Sequence, residues 1–253
     1  MPPRLSPPHR TYNKSAAQPG KDALAIAETT PLLGPVVDQL GTDIVSGDMA
    51  EGTRFRLGDI EKRFGISRTV AREAMRTLEH LGMVSSGRRV GLKVLPRSSW
   101  AVYDPAVISW RLSHDRTRAE QVARLNELRL GIEPVAAQLA AHNASPHQRR
   151  ELLRLAGRLS ELETTPSPRV GEELETDLQF HTLILEASGN EMIAALAPAL
   201  LAILKGKSVF GSRKRDPIRG TTQLHMDLAR EIDAGEAEAA ERTSRAILDR
   251  ARA

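Results

Sequence analysis

Gly65-Ile66-Ser67-Arg68-Thr69-Val70-Ala71-Arg72-Glu73-Ala74-Met75-Arg76 reads as a tight turn entering a helix whose outer side is lined with arginine. Gly65 permits the turn, and Ser67 is placed to cap the helix, because its hydroxyl can accept from an orphan backbone N–H of the first turn. Val70, Ala71, Ala74, Met75, Leu78 and Leu81 recur at helical spacing and supply the face to be buried. Arg68, Arg72 and Arg76 stand opposite, one turn apart, with Thr69 beside them at the helix start, where base edges are reached in a major groove. Arginine's planar fork suits both phosphate and guanine, so the stretch reads as a helix that contacts DNA. The competing reading is an ordinary basic helix surface.

The flanks favour DNA. Before the stretch, Val36, Val37, Leu40, Ile44 and Val45 fall at helical spacing from Leu33 to Ser46, and Gly47 can close that helix. A loop then leads through Arg54, Phe55, Arg56 and Leu57 into a short helix of about Gly58 to Phe64. After the stretch, the helix stops near Gly82, and Met83 to Ser86 and Val90 to Val94 alternate like two strands around Gly87-Arg88-Arg89, a hairpin with a cationic tip. Helix, helix, turn, helix and basic hairpin make a winged helix-turn-helix.

Charge follows the same division. The segment from Gly52 to Arg97 holds 11 Lys and Arg against 4 Asp and Glu, whereas Ser98 to Ala253 holds 21 against 22. A module suited to a polyanion thus precedes a balanced one. Aromatic residues make up 3% of the chain and there is no cysteine, which favours Ala/Leu-packed helices and excludes disulfides, thiolate metal sites and a Cys nucleophile. The apolar run from Ala23 to Leu33 is cut by Glu28 and Pro31, so no membrane span is expected, and the cytoplasm is the expected location.

The expected organisation is a proline-rich disordered arm over residues 1–30, a winged helix-turn-helix over 31–96, a linker over 97–104, and an all-helical antiparallel bundle over 105–253 that binds an effector and dimerises. In the bundle, the periodic stretch from Gly171 to Ala187 carries Asp177 and His181 on its apolar stripe, and His225 sits likewise with Leu228, Ala229 and Ile232. A buried carboxylate and two imidazoles converging on one cavity must be paired with each other or bound to metal. Arg129 shares a face with Leu125, Ile132 and Ala136; it points inward, either toward a ligand or into a helix pair with Glu133. Asn190 is expected to cap the helix that follows it.

Leu40 through Val94 resembles the DNA-binding domain of the GntR family, through Ile44-Val45-Ser46-Gly47-Asp48-Met49-Ala50-Glu51-Gly52, Ser67 to Ala74, Leu78-Glu79-His80-Leu81-Gly82-Met83-Val84 and the glycine-containing wing. The second half is similar to the all-helical effector domain of the FadR subfamily, through Arg129-Leu130-Gly131-Ile132-Glu133-Pro134, Asp177-Leu178-Gln179-Phe180-His181, Ser188-Gly189-Asn190 and Leu224-His225. The resemblance implies a mainly α protein that binds a double-stranded DNA operator through Ser67, Arg68, Thr69 and Arg72, with Arg88, Arg89 or Gly91 from the wing alongside. The family's basic residue in the short preceding helix falls near Gly58, where Arg56, Lys62 or Arg63 could substitute. It implies a homodimer that is not an enzyme, and a divalent metal (Zn, Ni or Mn) held by Asp177, His181 and His225. The subfamily's frequent fourth ligand, on the last helix, falls at about Ile247, which cannot ligate. It further implies a small carboxylate effector meeting Arg129. Trp100 to Trp110 is similar to sugar-acid-responsive members, which points to an aldonate and a repressor; another organic or fatty acid, or activation, are the alternatives. A metal-dependent enzyme fused to a DNA-binding module is the reading from a different class.

Overall fold

The structure is a computed structural model and describes residues 21–87, 91–165, 167–204 and 221–252. Helix α1 (Lys21–Ser46) begins ahead of Leu33, where the periodic stretch starts, and buries Val36, Val37, Leu40, Ile44 and Val45. Strand β1 (Arg54–Phe55) leads into α2 (Leu57–Phe64). Gly65, at φ 63°, ends α2 in the left-handed conformation that a side chain would resist. Helix α3 (Arg68–His80) follows at once, and strands β2 (Val84–Gly87) and β3 (Gly91–Val94) close the module.

The sheet departs from the expected two-stranded hairpin. It has three antiparallel strands in the order β1-β3-β2, with Arg54 opposite Lys93 and Ser85 opposite Lys93 from the other side. Strand β1 is two residues long, too short for alternation to announce it in sequence. Its pairing ties the approach to α2 onto the base of the wing, and Ala71, Ala74, Met75 and Leu78 of α3 fill the core shared with the sheet and α1.

Among the described residues the second half consists of helices and their connections, with no strand. It comprises α4 (Pro105–Ser113), α5 (Asp115–Asn143), α6 (Pro146–Thr164), α7 (Glu172–Ala187), α8 (Glu191–Ala195), α9 (Ala197–Leu200), α10 (Thr222–Ala234) and α11 (Ala237–Arg252). Caps mark the boundaries: Asp104 accepts from the N–H of Ala106, Ser145 and Gln148 form a reciprocal box, and Asn190 accepts from Met192 N–H at 3.0 Å, as expected. The sequence from Glu191 to Leu204 reads as one helix, but the structure breaks it at Leu196, with Pro198, which lacks an N–H donor, in the first turn of α9. The sequence from Pro217 to Ala234 also reads as one helix; the structure starts it at Thr222 after Thr221, and residues 217–220 lie outside the described set. Helix α5 packs against α11, α7 and α10, and α6 packs against α10 and α7.

Helix α4 belongs to two cores at once. Its Val107 and Trp110 pack with α1, whereas Ile108 and Leu112 pack with the bundle. The Trp110 indole N–H donates to Asp38 at 2.9 Å. A second bond set crosses the same junction: Arg116 of α5 donates to Asp48 at 2.9 Å, and Arg97 donates to both oxygens of Glu120 at 2.9 and 3.0 Å.

Candidate functional site

Two sites stand out, one exposed and one buried. On α3 the Ser67 hydroxyl accepts from Val70 N–H at 3.3 Å, which fixes the first turn and leaves Ser67, Arg68, Thr69 and Arg72 exposed. Arg68 approaches Glu61 only to 4.0 Å, and Arg72 meets no carboxylate among the described residues. Arg76 is instead drawn onto Glu73 at 2.7 Å, so the outermost arginine of the row is occupied. Of the candidates for the short helix, Arg63 is held by Asp43 at 2.6 Å with its guanidinium over the Phe64 ring, which leaves exposed Arg56 and Lys62 as the outward cations. On the wing, Arg88 and Arg89 lie outside the described residues. Gly91 is described: its φ is 79°, and a Cβ there would sit 2.8 Å from the Phe55 carbonyl, so backbone packing alone requires glycine.

The buried site is assembled by three helices. Helix α7 supplies Asp177 and His181 one turn apart, α10 supplies His225, and α5 supplies Arg129 and Glu133. All five are at least 95% buried. Ligand atoms of Asp177, His181 and His225 lie within 4.8 Å of one another. The Asp177 Oδ1 oxygen is 3.2 Å from His225 Nε2 and 3.6 Å from His181 Nε2. Phe180 closes the side of the cluster, its ring edge-on to both imidazoles.

The hydrogen bonds decide what these atoms can do. His225 Nδ1 lies 2.8 Å from the Thr221 carbonyl, which can only accept, so Nδ1 carries a proton and Nε2 is the nitrogen turned toward Asp177. Both Asp177 Oδ1 and His225 Nε2 are buried without a hydrogen-bond partner. With its proton on Nδ1 alone, the ring offers an Nε2 lone pair beside that oxygen, an arrangement that a cation would satisfy. The donor set, two imidazole nitrogens and a carboxylate oxygen, suits a borderline transition metal with open positions for water or ligand.

Electrostatics follow from burial and from these neighbours. Burial would raise the Glu133 carboxyl, but the Arg129 and His181 charges outweigh it and hold it at about 2. Asp177 is likewise held below the ordinary carboxylate range despite burial, His181 being the strongest opposing charge. Burial would lower His181, yet the Glu133 and Asp177 carboxylates raise it.

Arg129 does point inward, and the helix pair expected as the alternative to a ligand contact is present: its Nε donates to Glu133 at 2.5 Å. Sequence reasoning missed the other side of Glu133, which accepts from His181 Nδ1 at 3.0 Å. A carboxylate one turn from Arg129 was visible; its meeting with α7 was not. Ile247, near the place of a fourth ligand, is buried in the apolar core. An open groove of about 780 Å³ lies elsewhere on α7, lined by Leu155, Leu178, Leu183 and Leu201, and none of Arg129, Asp177, His181 or His225 lines it.

Comparison with known proteins agrees with both halves. Residues 34–94 match the gntR family of bacterial regulatory proteins, and residues 124–250, half of the chain, match the FCD domain. An uncharacterized HTH-type transcriptional regulator of Escherichia coli K12, YieP, is 27% identical over 215 residues, covering 84% of this chain and 90% of its own. Another, YdhC of Bacillus subtilis 168, is 25% identical over 177 residues, 69% of either chain. Among solved structures, Lar, which controls the expression of the Listeria monocytogenes agr system, shares the fold with a TM-score of 0.55 at 17% identity, over 87% of this chain and 94% of that one. No helix among the described residues is long and apolar enough to cross a membrane. The two matches cover the module that carries α3 and the bundle that carries the buried cluster, and the chain belongs to the GntR family, as a DNA-binding transcriptional regulator with a carboxy-terminal FCD domain rather than an enzyme.

Proposed function

We propose that the protein is a cytoplasmic repressor that binds an inverted-repeat operator as a homodimer and releases it when a small carboxylate, an aldonate or related sugar acid, enters the bundle. The observation that carries the DNA reading is the exposure of Ser67, Arg68, Thr69 and Arg72 on one capped helix, with Arg72 unneutralised by any described carboxylate. These residues reach base edges and phosphates, with Arg88, Arg89 and the Gly91 backbone of the wing beside them. Residues 31–96 form the reading module, 97–104 the connection and 105–253 the sensing and dimerising part, and α4 locks one to the other.

In the bundle, Asp177, His181 and His225 hold a divalent cation, and Arg129 lies within reach of the ligand's carboxylate. The cation supplies a Lewis-acidic anchor for a ligand oxygen. The chain's own residues do the rest: Thr221 orients His225, Phe180 screens the centre from water, and α5 runs from Arg129 to Glu120 at the junction with the reading module, a span of about 14 Å at 1.5 Å per residue. An effector releases DNA only if it binds the DNA-incompetent arrangement more tightly than the competent one.

Selection of bound fragments from genomic DNA, followed by footprinting with and without a panel of sugar acids, tests this reading. A protected inverted repeat that is released by one of the acids is the expected result. Binding without sequence preference would overturn the operator, and a specific complex indifferent to every acid would overturn the effector class.

A further inference from the structure

We propose that Glu133 is the positioning carboxylate of the buried centre: it fixes the His181 ring so that Nε2 faces the cation, and it holds the Arg129 guanidinium with the same carboxylate. The inference rests on the metal reading of Asp177, His181 and His225 given above. Glu133 Oε2 lies 3.0 Å from His181 Nδ1, and its oxygens lie 2.5 and 3.3 Å from Arg129 Nε and Nη2. The Glu133 side chain is 3% exposed and His181 6%, so water does not compete for these bonds. A ring nitrogen that donates its proton to a carboxylate has no lone pair left for a metal, so His181 can ligate only through Nε2. That nitrogen is the one directed at Asp177, 3.6 Å away.

The same division of labour is made on His225 by a different group. Its Nδ1 donates to the Thr221 carbonyl at 2.8 Å, and its Nε2 faces the same Asp177 oxygen from 3.2 Å. Two imidazoles on two helices thus spend Nδ1 on an acceptor and aim Nε2 at one point. The two acceptors differ in charge: a carbonyl only orients its ring, whereas a carboxylate also raises the basicity of the opposite nitrogen. A carboxylate buried this deeply needs a counter-charge, and Arg129, one turn earlier on α5, supplies it.

Titration of the metal-stripped, full-length protein with Co²⁺, followed by its visible absorption, tests the assignment. The unaltered protein should take up one Co²⁺ and His181→Ala should not. Glu133→Gln should bind Co²⁺ about 10- to 100-fold more weakly, with an altered band. If the unaltered protein binds Co²⁺ and Glu133→Gln matches it in affinity and spectrum, the role of Glu133 is overturned while the metal reading stands. If the unaltered protein takes up no Co²⁺, the metal reading is overturned and the role of Glu133 with it. Because Glu133→Gln can fail to fold, its circular dichroism is compared first, and a second measurement uses the native sequence. Long-range ¹⁵N-histidine spectra of Zn²⁺-loaded protein should show His181 protonated at Nδ1 and coordinated at Nε2; coordination through Nδ1 would overturn the inference.

Discussion

Trp110 of α4 lies against Gly41 of α1, so close that a Cβ on Gly41 would sit only 2.4 to 2.6 Å from three carbons of the indole's six-membered ring. The contact joins the module that reads DNA to the bundle that senses ligand, and the indole N–H is anchored to Asp38 beside it.

Gly41→Ala separates two opposing effects. Alanine within a helix gains about 1 kcal/mol over glycine, whereas overpacking a core costs about 1 to 3 kcal/mol. The clash is with a rigid ring rather than a flexible chain end, so the substitution should lower stability on balance, read as an earlier urea midpoint. In a Trp110→Ala background the clash is gone, and Gly41→Ala should turn stabilising by up to about 1 kcal/mol. Equal effects in both backgrounds would show that the ring does not set the requirement for glycine at 41.

Operator recognition is tested at Arg72, whose guanidinium is exposed and meets no described carboxylate. Arg72→Ala should weaken specific binding by about 10-fold or more while leaving the circular dichroism unchanged. Arg76→Ala should change it less, since Arg76 is drawn onto Glu73. Gel-shift titrations at several salt concentrations distinguish a base contact from a phosphate contact: loss of a phosphate contact lowers the salt slope by about 1 and affects all sequences alike. Unchanged specific affinity in Arg72→Ala would remove Arg72 from the interface.

What the sequence reveals here divides by the range of the interaction. The Ser67 cap, the Gly65 turn and the Asn190 cap are decided within four residues, and each is legible from residue type and spacing. Strand β1 was not legible, because two residues carry no period and their pairing with Leu92 and Lys93 is settled far along the chain. The break at Leu196 has one local sign, Pro198, set in a run whose apolar residues otherwise continue at helical spacing. Within the buried site, Asp177, His181 and His225 stand out as polar residues on apolar stripes. The role of Glu133 toward His181 did not, because its neighbour on α5, Arg129, already accounted for it in sequence; only the packing of α5 against α7 brings the second partner.

Metal content should follow the Asp/His cluster. Protein purified without chelator should contain close to one equivalent of a transition metal by elemental analysis, and His181→Ala should lose most of it. Because α3 packs with α1, α2 and β2 whereas the centre is built by α5, α7 and α10, binding to operator DNA should survive in His181→Ala while its response to effector is lost. Unchanged stoichiometry in the variant would dismiss the assignment of His181.

The junction carboxylate Glu120 gives a prediction with a defined sign in pH. It accepts from Arg97 at 2.9 and 3.0 Å, from Arg111 at 3.2 Å and from Arg124 at 2.6 Å, so one carboxylate serves three guanidinium groups. The hydrogen bond from Arg97, above all, holds its carboxyl below the ordinary value. A group with a depressed folded-state pKa stabilises the fold fully above its unfolded value, about 4.3, and loses that contribution as pH falls through the folded value. Glu120 is 41% exposed, so solvent screening reduces the effect, but the Arg111 side chain it partners is only 4% exposed and would lose its carboxylate. Glu120→Gln should therefore destabilise by about 1 kcal/mol at neutral pH. Urea midpoints of variant and native protein should converge as the solution is taken well below pH 4, since protonation of Glu120 then imposes on the native protein what the substitution imposes on the variant. A difference that stays constant across that range would show that Glu120 contributes through shape and not through its charge.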